Sequence, residues 1–290
     1  MGPKVYIDGK FYEKEDAKIS VFDHGLLYGD GVFEGIRSYN RLVFKLNEHI
    51  NRLYASAKTI MLDVPLSKKE MQDAVIATLK KNHMDNAYIR LIVTRGSGDL
   101  GLDPRKCKRP TVIVITDNIV LYPDKYYKNG LEIITVPTRR NIPEALNPKV
   151  KSLNYLNNIL AKIEAVNAGF EEAIMLNSDG YVLECTGDNI FIVKNGELLT
   201  PPPYLGALEG VTRDAVMGIA QAKSMRFSEK VMTRHSLFNA DECFLTGTAA
   251  EIIPVIKIDN RVIGDGAPGK VTAKLMNEFR KLTRKDGTKY

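Results

Sequence analysis

The chain has no run of 18 apolar residues, no Asn-x-Ser/Thr sequon and only three cysteines, Cys107, Cys185 and Cys243. Without such a run no transmembrane helix is expected. The cysteines are too few and too scattered for a disulfide framework or a CxxC metal site, and their odd number fits a reducing compartment. The four histidines, His24, His49, His83 and His235, include no i, i+4 pair; no metal is expected. Residues 1–10 alternate polar and apolar side chains and lack the apolar core of a signal peptide. Tyr6 stands where a myristoylation pattern needs Ser or Thr. A cytoplasmic protein without membrane attachment is expected.

The composition of the 290 residues, 44% hydrophobic and 26% charged, is that of a globular chain able to bury a sizeable core. The net charge of +6 suggests nucleic acid only until it is located. Residues 270–290 carry seven basic side chains against Glu278 and Asp286, so the remainder is almost neutral. A basic terminal helix is a solvated face that the helix dipole favours. No nucleic-acid partner is expected.

Local pattern gives a hairpin at Lys4–Tyr12 through Asp8-Gly9, and a second from Val32 to Leu46 through Asn40-Arg41. Asn47 reads as the N-cap of a helix with the stripe Ile50, Leu53, Tyr54, Ala57 and Ile60. Ser67-Lys68-Lys69-Glu70 is a capping box, opening a helix to about Lys81. Strands follow at Ala87–Thr94 and Thr111–Thr116. Turn chemistry at Pro123-Asp124 and Asn129-Gly130 sets the domain boundary: an N-terminal domain at 1–117, an interdomain loop at 118–130 and a C-terminal domain at 131–290. The second domain reads as a strand at Leu131–Val136, a helix from about Leu153 ended by Gly169, several short strands, and helices at Thr212–Lys223 and Gly269–Leu282. Strands and helices without regular βαβ alternation indicate an α+β fold in two domains.

Gly96-Ser97-Gly98-Asp99-Leu100-Gly101 matches G-x-G-x-x-G after a predicted strand, which raises an NAD-binding oxidoreductase as an alternative. That fingerprint needs a helix whose N-terminus meets the pyrophosphate. Only nine residues, including Pro104 and Pro110, separate Gly101 from the next strand. A crossover helix does not fit there.

Four other segments carry chemistry. In Tyr28–Arg37 the strand period puts Phe33, Gly35 and Arg37 on one face, which suits a pocket for an apolar acid and equally a barrel strand with a structural arginine. In Asn86–Arg90, Tyr88 and Arg90 share a face. Pro148–Asn158 holds Lys149 and Lys151 just before a helix; either amine would need desolvation to act as a nucleophile. The fourth group is Glu184–Asn189, Leu208–Arg213 and Leu245–Glu251. Thr212, at a helix start, suits a phosphate or a plain N-cap.

Taken in this order, these segments resemble the class IV (fold type IV) pyridoxal-phosphate enzymes, and among them the branched-chain amino acid aminotransferases, over essentially the whole chain. The resemblance implies a smaller N-terminal α/β sandwich domain, a larger C-terminal pseudo-barrel domain, pyridoxal 5'-phosphate as cofactor, and a homodimer or dimer-based higher oligomer. It implies transamination of L-leucine, L-isoleucine and L-valine with 2-oxoglutarate. Lys151, in KSLNYL, is similar to the family's cofactor-linking lysine and proton shuttle. Glu184 would pair with the pyridine nitrogen. Arg52, Val211, Thr212 and Thr248 would hold the phosphate, with Leu208, Gly210 and Gly247 shaping its seat. Tyr155 would bond the cofactor's phenolic oxygen. Tyr88 and the N–H groups of Thr248 and Ala249 would take the substrate α-carboxylate. Arg90, Tyr28 and Tyr122 would take the distal carboxylate of glutamate, and Phe33, Gly35 and Arg37 would line the side-chain pocket, partly against a neighbouring subunit.

Two features depart from that pattern. Leu91 replaces the proline that often follows Tyr-x-Arg, and Thr94-Arg95-Gly96 is similar to the D-amino-acid aminotransferase branch, where an arginine at the place of Arg95 takes the α-carboxylate. The KSLN form around Lys151 also occurs in that branch. Activity on D-amino acids or (R)-amines is therefore the alternative within the family.

Overall fold

The computed structural model describes residues 2–119 and 121–290. Residue 1, and residue 120 within the expected interdomain loop, lie outside the described residues. The chain forms two compact units: Met1–Ile119, Val150–Asn154 and Thr283–Tyr290 make one, and Val120–Lys149 with Tyr155–Leu282 make the other. This differs from a linear division at 118–130, because two later segments return to the first unit. Backbone hydrogen bonds explain both returns. Residues 151–153 bond to the strand beginning at Gly31, and Gly287–Lys289 pairs with Leu42–Phe44.

The first unit contains β1 (Val5–Ile7), β2 (Lys10–Tyr12), α1 (His24–Tyr28), β3 (Gly31–Tyr39), β4 (Leu42–Phe44), α2 (Leu46–Thr59), α3 (Lys68–Lys81), β5 (Ala87–Thr94) and β6 (Thr111–Asp117). Its sheet runs from the Gly287–Lys289 strand through β4, β3, β5, β6 and β1 to β2. Strand alternation sends Val32 and Ile36 of β3, and Ile89, Leu91 and Val93 of β5, into one core. Ile50, Leu53 and Ala57 of α2, and Met71, Val75 and Leu79 of α3, complete that core at helical spacing. The Ser67–Glu70 capping box forms as expected. Asn47 does not cap α2; the cap position falls two residues earlier, at Lys45 in a left-handed conformation (φ 51°). Helix α1, too short for periodicity to betray, is capped by Asp23 and ended by Gly29 at φ 69°.

The glycine-rich loop holds only a 3-10 turn at Pro104–Lys106 before β6. Gly96 has φ 88°, and a Cβ there would meet the Arg109 carbonyl oxygen at 1.8 Å. Its glycine serves close backbone approach, and no crossover helix follows it.

The second unit contains α4 (Asp124–Asn129), β7 (Leu131–Thr135), α5 (Leu156–Asn167), β8 (Ala173–Leu176), β9 (Val182–Cys185), β10 (Asn189–Lys194), β11 (Glu197–Thr200), α6 (Val211–Ala222), β12 (Phe227–Glu229), α7 (Arg234–Phe238), β13 (Glu242–Gly247), β14 (Glu251–Ile258), β15 (Arg261–Val262) and α8 (Lys270–Leu282). Helix α4 falls inside the expected loop. The order β10-β13-β14-β7-β8-β9 closes on itself because Glu184 of β9 pairs with Asn189 of β10. A closed ring of strands removes sheet edges and gives the unit a barrel-like core, filled by residues such as Ile133, Ile174, Ile190, Leu245 and Ile253.

Candidate active site

In the first unit, Lys151 is held by its backbone before its amine is considered. The Phe33 N–H donates to the Lys151 carbonyl (3.0 Å), the Lys151 N–H donates to Ser56 Oγ (3.1 Å), and the Leu153 N–H donates to the Gly31 carbonyl (3.0 Å). The segment thus runs as a short added strand along β3, with a bridge between Val32 and Ser152. Lys151 is half-buried, and its Nζ lies 4.5 Å from the centre of the Phe33 ring. The other lysine of the motif has a different fate: Lys149 is exposed and paired with Glu209 at 2.7 Å.

Arg52 projects from α2 into a bidentate pair with Glu34 of β3. Its Nε donates to Oε1 at 2.7 Å and its Nη2 to Oε2 at 2.8 Å. His49, one turn earlier, places Nδ1 2.8 Å from the same Oε2. Glu34 and His49 are fully buried. Burial by itself would raise the Glu34 carboxyl, but the charges and hydrogen bonds of Arg52 and His49 hold it at about 2. Burial lowers the His49 pKa against the pull of the Glu34 carboxylate, toward which Nδ1 is turned.

Phe33, Gly35 and Arg37 share a face of β3, and Tyr88 and Arg90 stand on the same side of β5. The Arg90 guanidinium carbon lies 4.5 Å from the Phe33 ring centre and 5.5 Å from that of Tyr88. A Cβ on Gly35 would come within 2.2 Å of the Tyr88 hydroxyl. Arg37 stacks over Tyr39 at 5.0 Å. The Tyr28 hydroxyl donates to the Leu100 carbonyl at 2.5 Å, joining α1 to the glycine-rich loop.

Arg95, the residue that the D-amino-acid resemblance singles out, has partners within its own unit. It is buried; Nε and Nη2 bind Asp30 at 2.9 Å each, while Nη1 and Nη2 also donate to the carbonyls of Met61 and Ile60. An arginine so engaged ties Asp30 to the carbonyls that follow α2. Tyr122 belongs to the second unit. It is buried in the core of the second unit, its hydroxyl 3.3 Å from Glu172 and 3.5 Å from Asp188, and burial with those carboxylates raises its pKa strongly.

In the second unit, Glu184 stands near the end of β9 with both oxygens engaged. Arg140 Nε donates to Oε1 at 2.7 Å, and the Leu208 N–H donates to Oε2 at 2.9 Å. Helix α6 opens at Val211 after Gly210, an N-cap residue that has no side chain to offer. Its first N–H groups are therefore available to an anion, with the buried Thr212 hydroxyl among them. A Cβ on Gly210 would fall 2.0 Å from Asn189 Oδ1, and one on Gly247 would fall 1.9 Å from Asp188 Oδ1, so a larger residue at either place would displace that neighbour. Thr248 and Ala249 follow in the turn between β13 and β14. Tyr155 directly precedes α5. Asn158 Oδ1 and Thr246 Oγ1 are buried without a hydrogen-bond partner among the described residues.

The family described as amino-transferase class IV matches residues 31–258. This chain is a class IV aminotransferase. A Methanocaldococcus jannaschii protein, named provisionally as a branched-chain-amino-acid aminotransferase, is 54% identical to it over 99% of this chain and 98% of its own. The crystal structure of the Escherichia coli branched-chain amino acid aminotransferase is similar at TM-score 0.95 and 35% identity, covering 98% of this chain and 95% of that one. The branched-chain amino acid aminotransferase from Thermobaculum terrenum, in its PLP-bound holo-form, is similar at TM-score 0.89 and 29% identity, with the same coverage of 98% and 95%. The fold is thus the two-domain fold type IV architecture of these aminotransferases, with the closed strand ring as its barrel.

Three residues that engage the expected site residues Arg52 and Glu184 do not figure in the sequence analysis. Glu34 carried a signal: it interrupts the core-facing positions Val32 and Ile36 with a charge. His49 also had one, lying three residues before Arg52 on the same helical face. Arg140, in an irregular stretch, had none.

Proposed function

We propose that this chain transfers amino groups between L-leucine, L-isoleucine or L-valine and 2-oxoglutarate, with pyridoxal 5'-phosphate held covalently by Lys151. The observation that carries this reading is the placement of Lys151: its backbone is fixed against β3 and α2, and its amine rests on Phe33. Lys149 is committed to Glu209 instead.

The donor set fits the cofactor. The uncapped start of α6 with Thr212, and the guanidinium of Arg52, are donors of the kind a phosphate needs. Val211 and Thr248 add to them, and Leu208, Gly210 and Gly247 shape the backbone. Glu184, paired with the Arg140 guanidinium, suits a protonated ring nitrogen. Tyr155 is the hydroxyl assigned to the phenolic oxygen. When bound, the pyridine ring supplies a sink for the electrons released at the substrate α-carbon.

Lys151 Nζ takes the α-proton and returns it during the transfer. Tyr88 and the N–H groups of Thr248 and Ala249 hold the α-carboxylate. Arg90, with Tyr28, takes the distal carboxylate of glutamate, while the Phe33 ring and Gly35 accept an aliphatic side chain and Arg37 rims the pocket. Arg90 stacked on two rings explains how one pocket serves both: aliphatic groups pack on the ring faces and the guanidinium waits at the edge. The engagement of Arg95 by Asp30 speaks against D-amino-acid preference.

A homodimer, or a higher assembly of dimers, is part of this reading. Its support is the stripe Leu156, Ile159, Leu160 and Ile163, exposed at helical spacing on α5. No described helix is long and apolar enough to cross a membrane. A cytoplasmic setting agrees with three cysteines that are all free thiols. Transamination of L-leucine, L-valine, D-alanine and (R)-1-phenylethylamine with 2-oxoglutarate, run side by side, tests the whole. Turnover of the two L-substrates is expected to dominate; no turnover of L-leucine would end the proposal.

A further inference from the structure

We propose that Glu34 and His49 are positioning residues that hold the Arg52 guanidinium in the orientation in which it binds the cofactor phosphate. This deepens the function proposed above and rests on Arg52 being a phosphate ligand.

Three observations carry the inference. First, Glu34 occupies a core-facing position of β3 between Val32 and Ile36, where the strand period calls for an apolar residue, and its side chain is wholly buried. An apolar residue of similar size there would fold as well or better, because ion pairs seldom recover the cost of leaving water. Fold stability alone therefore does not account for the carboxylate.

Second, the geometry is a fork. Both carboxylate oxygens are spent on Arg52, through Nε and Nη2, which fixes the plane of the guanidinium as well as its place. His49 Nδ1 adds a third bond to Oε2 and so fixes the carboxylate itself. The chain of contacts runs one way, from an imidazole through a carboxylate to the guanidinium.

Third, only the last member of that chain is accessible. Glu34 and His49 are buried at 0% and 1%, while the Arg52 side chain is 14% exposed. The buried end is fixed and the accessible end is a cation. A phosphate bound there would meet a guanidinium that has already lost its rotational freedom, which is how a supporting pair raises affinity without touching the ligand.

The test uses the full-length chain stripped of cofactor, titrated by calorimetry with pyridoxamine 5'-phosphate and with pyridoxamine. The ratio of the two affinities isolates the phosphate. Arg52→Ala, Glu34→Gln and His49→Ala are each expected to lower that ratio, the latter two roughly tenfold. His49→Asn, which keeps a donor near the place of Nδ1, is expected to restore most of it. In the Arg52→Ala background, Glu34→Gln and His49→Ala are expected to cost nothing more.

If Arg52→Ala leaves the ratio unchanged, the phosphate assignment itself falls, and this proposal with it. If Arg52→Ala lowers it but Glu34→Gln and His49→Ala do not, the proposal alone is overturned. Equal losses with and without Arg52 would also overturn it, since the two residues would then act through the fold. Should Glu34→Gln not fold, His49→Ala and its combination with Arg52→Ala decide the matter in the same way.

Discussion

The hydroxyl of Tyr88 occupies the space where a side chain on Gly35 would begin: a Cβ there would lie 2.2 Å from Tyr88 Oη. Gly35 pairs with Arg90 across β3 and β5, and Tyr88 reaches diagonally from two residues away. Gly35→Ala is therefore expected to push Tyr88 off its position. Because Tyr88 is not part of the core, the predicted result is a fall in kcat/KM for L-leucine of roughly tenfold, with a melting temperature within a few degrees of the parent. Steady-state kinetics and a thermal melt on the same preparation check this. Unchanged kinetics would remove Tyr88 from the substrate site.

Arg95 provides a contrasting case. Its guanidinium is engaged by Asp30 and by the carbonyls of Ile60 and Met61. Arg95→Met is expected to destabilise the protein by about 3 kcal/mol, since it strands a carboxylate and two carbonyls. The ratio of activity on L-leucine to activity on D-alanine is expected to stay constant. Denaturant unfolding gives the first quantity and paired assays the second. A changed ratio would return Arg95 to the substrate site.

Acid sensitivity follows from Glu34. Its carboxyl is held at about 2 in the folded chain against an ordinary 4.5. Between those values the unfolded chain binds the proton and the folded chain does not, so stability rises with pH through that interval. The contribution is fully present above about 4.5 and is lost as pH falls toward 2, on the order of 3 kcal/mol in all. The midpoint of urea unfolding at stepped pH between about 5 and 3 measures it. Glu34→Gln is expected to flatten the decline over that range, and an identical decline in the variant would contradict the assignment.

The α3 capping box gives a control away from the chemistry. Ser67 accepts from the Glu70 N–H, and Glu70 accepts from the Ser67 N–H. Ser67→Ala is expected to cost about 1 kcal/mol of stability and nothing in kcat. Unfolding curves and initial rates test the two halves separately.

Much of this was legible in the sequence where the signal is local. Ser67 with Glu70 marked the start of α3, and Gly169, at φ 82°, followed the end of α5. Alternation in Ala87–Thr94 gave β5 its two faces. What resisted reading was set by long-range pairing. The return of Val150–Asn154 to β3 depends on hydrogen bonds to Gly31, Phe33 and Ser56, far away in sequence. The strand Gly287–Lys289 forms only because β4 offers it an edge. The roles of Arg95 and Tyr122 came from the resemblance, and residue type alone does not reveal Asp30 or Glu172 beside them. Lys151 was chosen over Lys149 by the resemblance of the KSLN segment. The two differ physically in that one is fixed against β3 and the other pairs with Glu209 at the surface.

That difference supplies the most direct test of the account. The purified chain is incubated with pyridoxal 5'-phosphate, reduced with borohydride, digested and mapped by mass spectrometry. A yellow protein that is bleached on reduction is expected, with the phosphopyridoxyl mass on Lys151. A label on Lys149, or labelling spread over surface lysines and undiminished in Lys151→Ala, would contradict it.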